Sequence, residues 1–472
     1  MTPPEPGASP PEPSPPEPCE PELSPPDPAG GGPAPGAEPI ARRPVLTALL
    51  AGTLGGGAVG AALPWPGLPD LPGLSSSGRQ TDRTVAVYGG NDINGARENA
   101  LKVWAATPST LKAQLRASYR NVGASSTAQI GVVRNLLTRS GTDLVVIDPQ
   151  YLPELVAKKQ LRRFDQVSTD SLADLGCFTG LVSQCTVEGP LYAVPVNADA
   201  PMLVINQALL GRAGRDRAAA LAKVADPRQF WIEANEIAAG SAAPTRTILL
   251  QTGDYEGMTV CLVELIRAFG GDVGSDPALS TSRNRDALYD LRQAVPEATF
   301  QRPAKGLGDE GATVAAVQQN AVAVARLWPA QCHGLTAGPP PDEARPSEYL
   351  IIPVPGGVLG GQVAAIAAES PDSGAAEELA GFLAQPLSQL QLFSAAGYVP
   401  TLSPVYAVTS VRDELRSLGS QLDRAALRPS LRAYTAWSTQ FSVLVRSYLL
   451  YRTEDIALDV SQPLARFASS RA

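Results

Sequence analysis

The clearest binding chemistry in this chain lies between Gln251 and Val273, in the segment QTGDYEGMTVCLVELIRAFGGDV. Asp254, Tyr255 and Glu256 precede an apolar stretch with helical spacing, which a Gly-Gly pair ends. Carboxylates and a phenol at an exposed helix start can bind a polar ligand. Acidic residues are also common at this position because they interact favourably with the helix dipole. Spacing alone therefore leaves a binding site and an ordinary helix start both open.

Further polar side chains follow predicted strands. TVAVY, from Thr84, predicts a strand that runs into a loop with Asn91 and Asp92, and DLVVID predicts a later strand that ends at Asp148. Helical stretches separate these strands, which indicates a parallel sheet. Because ligands bind at the carboxyl ends of such strands, we expect these three polar side chains to lie near a ligand.

The second half of the chain predicts another α/β unit. Residues 189–206, GPLYAVPVNADAPMLVIN, indicate two extended segments, helices dominate to about residue 325, and residues 351–367 indicate a returning strand. A chain that leaves one unit, builds a second and comes back forms two lobes joined by crossing segments. The sequence therefore predicts an α/β, two-lobed fold with its ligand site in the cleft between the lobes.

The N-terminal region has a different composition. Residues 1–41 are rich in Pro and Glu, which predicts a disordered tail. Residues 42–63, Arg-Arg followed by twenty uncharged residues, predict a transmembrane or signal-anchor helix that leaves the tail cytoplasmic and the rest extracellular. A cleaved twin-arginine signal, which would make the protein secreted, is the alternative. Residues 64–83, rich in Pro, Gly and Ser, predict a stalk.

The charge distribution excludes one class of partner. The net charge is -8, but the first forty residues hold six Glu and one Asp without any Lys or Arg, so the remainder is close to neutral. Proteins that bind nucleic acid need a basic patch or stripe, and the sequence has no such feature. We therefore expect no nucleic-acid partner.

The cysteines suggest an oxidising environment. Cys19 lies in the tail and four cysteines follow the apolar segment, which allows three connectivities. The short loop between Cys177 and Cys185 favours a disulfide there and leaves Cys261 to pair with Cys332. The chain has no CxxC motif and only one histidine, His333. We therefore expect no metal site, no cofactor and no catalytic residue.

The order of these segments resembles the extracellular solute-binding proteins of ABC transporters, in particular the maltose-type family 1 in its actinobacterial form. The resemblance spans about residues 84 to 452. It is carried by GGNDINGARENALKVW, by DLVVIDPQYLPELVAKKQLRRFD, by GPLYAVPVNADAPMLVINQALL, by QTGDYEGMTVCLVELIRAFGG, by RLWPAQC, by the glycine-rich return from PVPGG, and by RPSLRAYTAWSTQFS. The QTGDYEG segment is the closest match among them.

The resemblance implies a periplasmic-binding-protein-like fold of type II over residues 84–456. It implies a first lobe of about residues 84–195 plus 350–400, a second of about 200–345 plus 400–456, and a C-terminal tail at 457–472. It also implies a monomer that binds a carbohydrate or a related small polar ligand and delivers it to ABC permease subunits. The residues carried over as ligand-binding are Asn91, Asp92, Asp148, Asn197, Asp199, Asp254, Tyr255, Glu256, Trp328 and Gly361.

The chain departs from the family pattern at aromatic positions. Gln362 follows Gly360-Gly361 where the family often has an aromatic residue, and Val204 and Ile205 replace a frequent Tyr pair. Stacking surface for sugar rings is therefore reduced. A sensory receptor that uses the same cleft without transport, and an extracellular glycoside-processing enzyme, remain as alternatives to the transport protein. Trp104 and Trp231 are expected in the core rather than in the site.

Overall fold

The computed structural model describes residues 83–123, 125–301, 308–336, 348–407, 418–451, 455–468 and 470–471. The predicted tail, the apolar segment at residues 42–63 and nearly all of the predicted stalk lie outside these ranges. Among the described residues, no helix combines the length and the hydropathy that a membrane crossing requires.

The described strands form two sheets. They are β1 (Arg83–Gly89), β2 (Leu115–Asn121), β3 (Leu144–Ile147), β4 (Ala193–Asp199), β5 (Met202–Asn206), β6 (Val324–Leu327), β7 (Tyr349–Pro353) and β8 (Gly360–Ile366). The first sheet has the order β2-β1-β3-β8-β4 and the second the order β6-β5-β7. Each sheet is the centre of one lobe, which we call the first and the second lobe.

The first sheet is mixed. β1 pairs in parallel with β2 and β3, whereas β8 returns antiparallel between β3 and β4. All four residues of β3, LVVI, are buried, as expected for a strand inside a covered sheet. The parallel pairs bring the carboxyl ends of β1 and β3 to the same edge, where the predicted ligand residues of both strands lie.

Helices cover both sheets. In chain order they are α1 (Ala96–Ala105), α2 (Pro108–Lys112), α3 (Ser126–Leu136), α4 (Leu152–Ala157), α5 (Thr169–Asp174), α6 (Thr179–Gln184), α7 (Arg212–Leu221), α8 (Pro227–Ala239), α9 (Glu256–Ala268), α10 (Ser282–Ala294), α11 (Glu310–Gln318), α12 (Pro329–Thr336), α13 (Ser373–Leu383), α14 (Pro386–Ala396), α15 (Tyr434–Tyr451) and α16 (Gln462–Ala468). In the first lobe α1, α3 and α13 pack on the sheet, and in the second lobe α9 packs against α10 and α15.

Short segments join the lobes. β4 leads to β5 through Ala200 and Pro201, and β7 leads to β8 through residues 354–359. These two crossings are held together by a hydrogen bond from the Val354 N–H to the Pro201 carbonyl, at 2.9 Å. A third segment runs beside them, since the Ala426 N–H donates to the Gly357 carbonyl at 2.9 Å. The predicted two-lobed α/β fold is confirmed.

The element boundaries differ from the sequence-based ones in two places. Residues 349–353 form β7, which pairs with β5 in the second lobe, so the first lobe resumes only at β8. The predicted C-terminal tail includes α16 and the preceding π-helical turn Ala457–Ser461, and Val460 and Leu464 in it are fully buried. Apolar residues at helical spacing anchor this segment to the core.

The large aromatic side chains fill the core. Trp104 and Trp231 are both 1% exposed, which confirms their predicted core positions. Trp437 is also fully buried, and its indole N–H donates to the Pro277 carbonyl at 2.8 Å. These indoles therefore stabilise the lobes from inside and are not available to a ligand.

The predicted disulfides are wrong for this structure. Cys177, Cys185, Cys261 and Cys332 are all buried, and none of these described residues is in a disulfide. The Cys261 thiol instead donates to Gln251 Oε1 at 3.6 Å, and the Cys177 thiol interacts with Thr401. Burial raises the pKa of Cys177, Cys261 and Cys332 to about 12, which keeps these thiols protonated. An even cysteine count indicated pairing, but it carries no information on local partners.

Candidate functional site

The loop after β1 uses its polar residues mainly to organise itself. Asp92 Oδ1 accepts from the Arg97 N–H at 2.8 Å and its Oδ2 accepts from the Glu98 N–H at 2.9 Å, so the carboxylate caps the first turn of α1. Asn91 is exposed, and its Oδ1 accepts from Asn121 Nδ2 at 2.6 Å. Of these two predicted ligand residues, Asn91 is the more exposed, and Asp92 is half-buried with both carboxylate oxygens bonded to α1.

Asp148 lies at the carboxyl end of β3, as predicted. Its Oδ2 accepts from Ser126 Oγ at 2.8 Å and from Gln150 Nε2 at 3.1 Å. The carboxylate is half-buried, and it makes no side-chain cap to the 3-10 turn Pro149–Tyr151 that follows. Asp148 therefore keeps an oxygen, Oδ1, that these bonds do not use.

Asn197 and Asp199 lie side by side at the end of β4. Asn197 Nδ2 donates to Asp199 Oδ2 at 3.2 Å, while Asp199 Oδ1 is buried without a hydrogen-bond partner among the described residues. Gly361, beside them on β8, has a φ of 115°, and a Cβ there would clash with the Asn197 carbonyl. Gly361 thus lets β8 approach β4 closely, and its role as a ligand contact stays a prediction.

Arg97 on α1 is the main residue of the first lobe that sequence reasoning missed. It is 2% exposed and donates to the Tyr119 hydroxyl at 2.9 Å, to Asn197 Oδ1 at 3.2 Å and to Gln362 Oε1. Its guanidinium also stacks on Tyr398, 4.5 Å from the ring centroid. No carboxylate of a described residue pairs with it within 4 Å, so its charge is balanced only at longer range. The sequence signal that could have identified Arg97 was an arginine at a position that falls on the buried face of α1.

Trp328 follows β6 in the second lobe and is half-buried. The Arg326 guanidinium covers one face of its indole, 3.6 Å from the ring centroid. Arg326 is itself fully buried, and it makes two hydrogen bonds to the Glu264 carboxylate, at 2.6 and 3.1 Å. The benzo edge of the indole faces Gly360 at the start of β8, where a side chain would contact the ring. Trp328 therefore lies against the first-lobe sheet.

Tyr255 and Glu310 lie in the same part of the second lobe. The Tyr255 ring packs over Gly257, where a Cβ would clash with the ring, and its buried hydroxyl lies near the Glu310 carboxylate. Burial raises the pKa of Glu310 and, with the negative charge of Glu310, that of Tyr255. Sequence reasoning missed Glu310 because it looked like an ordinary acidic start of α11.

Glu256, also predicted to bind ligand, is instead the centre of a buried network. Its Oε1 accepts from Arg428 Nη1 at 2.9 Å and from the Tyr434 hydroxyl at 2.5 Å, and its Oε2 accepts from Ser438 Oγ at 2.6 Å. The residue is 3% exposed. Both oxygens are therefore used inside the protein. Asp254 differs, because its side chain is 60% exposed beside Arg446.

The charges of both lobes meet at Asp199. Burial, together with the charge of Asp148, raises the pKa of Asp199 to about 7; Glu310 acts in the same direction, and Arg97 and Arg326 oppose it. We call Arg97, Asp148, Asp199, Glu310, Arg326 and Trp328 the cleft group. It contains carboxylates that accept hydrogen bonds, guanidinium groups that donate them and one indole, which together suit a neutral ligand rich in hydroxyl groups.

Comparison with known proteins agrees with this architecture. The maltose-bound MalE3 of T. maritima has 20% identity and a TM-score of 0.64 over 81% of this chain and 99% of that one. The GacH receptor of Streptomyces glaucescens has 18% identity and a TM-score of 0.63 over 83% and 100%. An ABC transporter solute-binding protein from Agrobacterium vitis S4 with bound D-mannitol has 15% identity and a TM-score of 0.57 over 81% and 97%. At these identities the likeness shows the fold.

The family is shown by the sequence itself. The comparison with curated proteins gives no match. Residues 124–414, more than half of the chain, match the family model described as bacterial extracellular solute-binding protein. This match begins before α3 and extends past the last strand, so it includes β3 to β8 and the crossings between the lobes, but not β1 and β2. The chain therefore belongs to the bacterial extracellular solute-binding protein family.

Proposed function

We propose that this chain captures a carbohydrate between its lobes and delivers it to an ABC importer, while residues 42–63 hold it at the extracellular face of the cell membrane. The observation that carries the proposal is Asp199. Its Oδ1 is buried without a hydrogen-bond partner among the described residues, at the point where charges from both lobes converge. A ligand that donates a hydrogen bond there would contact groups of both lobes at once.

Carbohydrates fit this chemistry. A sugar hydroxyl donates to a carboxylate and accepts from a guanidinium, and the apolar face of a sugar ring packs on an indole. Because Arg326 covers one face of Trp328, at most one face of the indole is available to a sugar. Three structural neighbours are known in complex with maltose, acarbose and D-mannitol. All three compounds carry many hydroxyl groups, and this supports the same ligand class here.

The test is a thermal-shift screen of the purified chain over monosaccharides, oligosaccharides and alditols. We expect at least one compound to raise the melting temperature in a saturable manner, because a ligand that binds only the folded state stabilises it. A screen in which no compound raises the melting temperature would contradict carbohydrate binding.

Trp328→Ala should weaken the binding of that compound about tenfold, because an aromatic contact and its buried area are lost. The matched control is Tyr451→Ala, which removes a ring that is 74% exposed on the end of α15. Calorimetric titration measures both affinities. Equal affinities of Trp328→Ala and the parent chain would place Trp328 outside the ligand contacts.

A sensory receptor is the alternative that the N-terminal composition favours, because a 41-residue tail would lie across the membrane from the binding lobes. Deleting the coding sequence separates the two functions. Loss of uptake of the radiolabelled ligand supports delivery to an importer. Unchanged uptake together with a lost response to the ligand supports the receptor.

A further inference from the structure

A buried ion pair lies directly behind Trp328. Arg326 on β6 and Glu264 on α9 have side chains that are each 1% exposed. Arg326 Nη2 donates to Glu264 Oε1 at 2.6 Å, and Arg326 Nε donates to Glu264 Oε2 at 3.1 Å. Removing two charges from water is costly, and two apolar side chains of similar volume often stabilise a core at least as well. Core stability alone therefore gives no reason for these charges.

The guanidinium of Arg326 is held within its own plane by hydrogen bonds. Its remaining nitrogen, Nη1, donates to Gln251 Oε1 at 3.2 Å, and Gln251 Nε2 donates back to the Arg326 carbonyl at 2.6 Å. Gln251 is fully buried. The hydrogen bonds of a guanidinium lie in its plane, so all three nitrogens are used while the flat faces stay free for stacking. Gln251 and Glu264 therefore set how the guanidinium faces Trp328.

The Trp328 indole packs on one of these faces. Side chains two residues apart along a strand lie on the same side, so Arg326 and Trp328, at the end of β6, are neighbours. The guanidinium carbon Cζ lies 3.6 Å from the ring centroid, which is a van der Waals contact. An edge of the same ring meets Gly360 of β8, where a Cβ would lie 3.1 Å from Trp328 Cζ3. The ring is thus fixed at one face and one edge, and only its opposite face can meet a ligand.

We propose that Glu264 and Arg326 are positioning residues, which fix the Trp328 indole at the angle from which it stacks on a ligand. This role rests on the proposed function, since it needs a ligand at Trp328. Arg326 also lies within electrostatic reach of Glu310 and Asp199. Without Glu264 the guanidinium would turn towards those carboxylates and leave the ring, because opposite charges attract strongly in a buried site.

Glu264 also connects the ring to the crossings between the lobes. Its carboxylate lies near the backbone of Val358, in the segment between β7 and β8. Val358 in turn pairs with Ala426 of the third crossing segment. A ring that is held through Glu264 is thus fixed relative to the crossings as well as to its own lobe.

The test replaces both charges together, as Glu264→Met with Arg326→Met. Apolar side chains of similar length keep the core filled, so the chain should fold, while the guanidinium behind the ring is lost. The matched control is Arg217→Met with Glu236→Met, which removes an exposed ion pair of the same lobe. Arg326→Lys is a second variant, which keeps the buried charge and loses the flat guanidinium. If the double variant does not fold, Arg326→Lys gives the same readouts.

Fluorine NMR of the chain labelled with fluorotryptophan reports on the ring, and Trp328→Phe assigns its signal. Calorimetric titration with the carbohydrate from the thermal-shift screen measures affinity, and thermal unfolding measures stability. We expect the Trp328 signal to shift in the double variant and in Arg326→Lys, with about fivefold weaker binding in both. The control should match the parent chain in signal and affinity.

A merely structural pair would leave the Trp328 signal and the affinity unchanged in a variant that folds, and that result overturns the inference. A shifted signal with unchanged affinity also overturns it, since the ring then moves without effect on the ligand. If the parent chain binds no carbohydrate, the proposed function fails. In that case a shifted Trp328 signal still supports the fixing of the ring by the pair, and an unshifted one overturns it.

Discussion

At the scale of single residues, Asp199 differs clearly from an ordinary aspartate. Burial and the nearby carboxylates raise its pKa to about 7, well above that of an aspartate in an unfolded chain. The folded state therefore holds a proton at pH 5 that the unfolded state has largely released. Stability from this group is present at low pH and is lost as the pH rises through about 7.

Asp199→Asn should therefore stabilise the chain at pH 8, by on the order of 1 kcal/mol, with the gain disappearing towards pH 4. Urea unfolding at several pH values measures the difference between the variant and the parent chain. Asp174→Asn, at an exposed position on α5, is the control. A difference that does not change between pH 8 and pH 5 would show that Asp199 titrates normally.

Sequence reasoning placed Asp148 and Asp199 correctly at strand ends, because strand polarity and apolar runs are local signals. It could not predict that Glu256 is buried and fully hydrogen-bonded, because its partners Arg428 and Tyr434 are 172 and 178 residues away along the chain. A buried carboxylate and an exposed one look alike in a helix start. Arg97 and Glu310 were missed for the same reason, since only the folded arrangement shows which charges are unpaired.

At the scale of elements, the contact between β4 and β8 depends on one backbone conformation. Their register shifts between Pro195 and Asn197, and directly after the shift Gly361 and Gly360 of β8 pair with Ala198 and Asp199. The positive φ of Gly361 and its closeness to the Asn197 carbonyl leave no room for a side chain. The two strands that present Asn197 and Asp199 are therefore positioned by a glycine.

Gly361→Ala should destabilise the chain by about 2 kcal/mol, because it combines backbone strain with a clash in the core. It should also weaken ligand binding, since Asn197 and Asp199 must move. The matched control is Gly131→Ala on α3, where nothing lies within 4 Å of the added methyl and helix propensity improves. Urea unfolding measures both variants. A Gly361→Ala chain as stable as the parent would mean that β8 adjusts without strain.

The elements themselves were largely predictable. The apolar runs of β1, β3 and α9 and the glycines after α9 appear directly in the sequence. The sheet that β7 joins was not predictable. Residues 349–353 pair antiparallel with a strand about 145 residues earlier, and no local sequence pattern indicates which sheet a strand joins. The disulfide prediction was wrong for a related reason, because cysteine pairing depends on distances in the folded structure.

At the scale of the whole molecule, the two lobes contact each other directly. The Glu256 N–H at the start of α9 donates to Thr127 Oγ1 on α3, at 2.9 Å. Thr435 Oγ1 on α15 donates to Glu154 Oε2 on α4, at 2.7 Å. Tyr434 also meets Tyr151 edge-on, with 5.7 Å between the ring centroids. These contacts stabilise an arrangement in which the lobes are close together.

Thr127→Val should shift the chain towards a more open arrangement, because it removes the acceptor of the Glu256 N–H without changing side-chain volume. Loss of one hydrogen bond lowers the population ratio of closed to open forms about fivefold. Small-angle scattering should show a larger radius of gyration, and ligand affinity should fall by up to the same factor. Thr138→Val, at an exposed position in the turn after α3, should change neither quantity. Identical scattering of both variants would show that this contact does not control the lobes.

Because Trp328 is only half-buried, its intrinsic fluorescence can be quenched from solution. The other described indoles, at Trp104, Trp231 and Trp437, are fully buried and shielded from dissolved quenchers. Among the described tryptophans, Trp328 alone is within reach of iodide or acrylamide. Its emission is also sensitive to the Arg326 charge against its ring. Among the described tryptophans, fluorescence quenching therefore reports on Trp328 where it lies against the first-lobe sheet, without any attached dye.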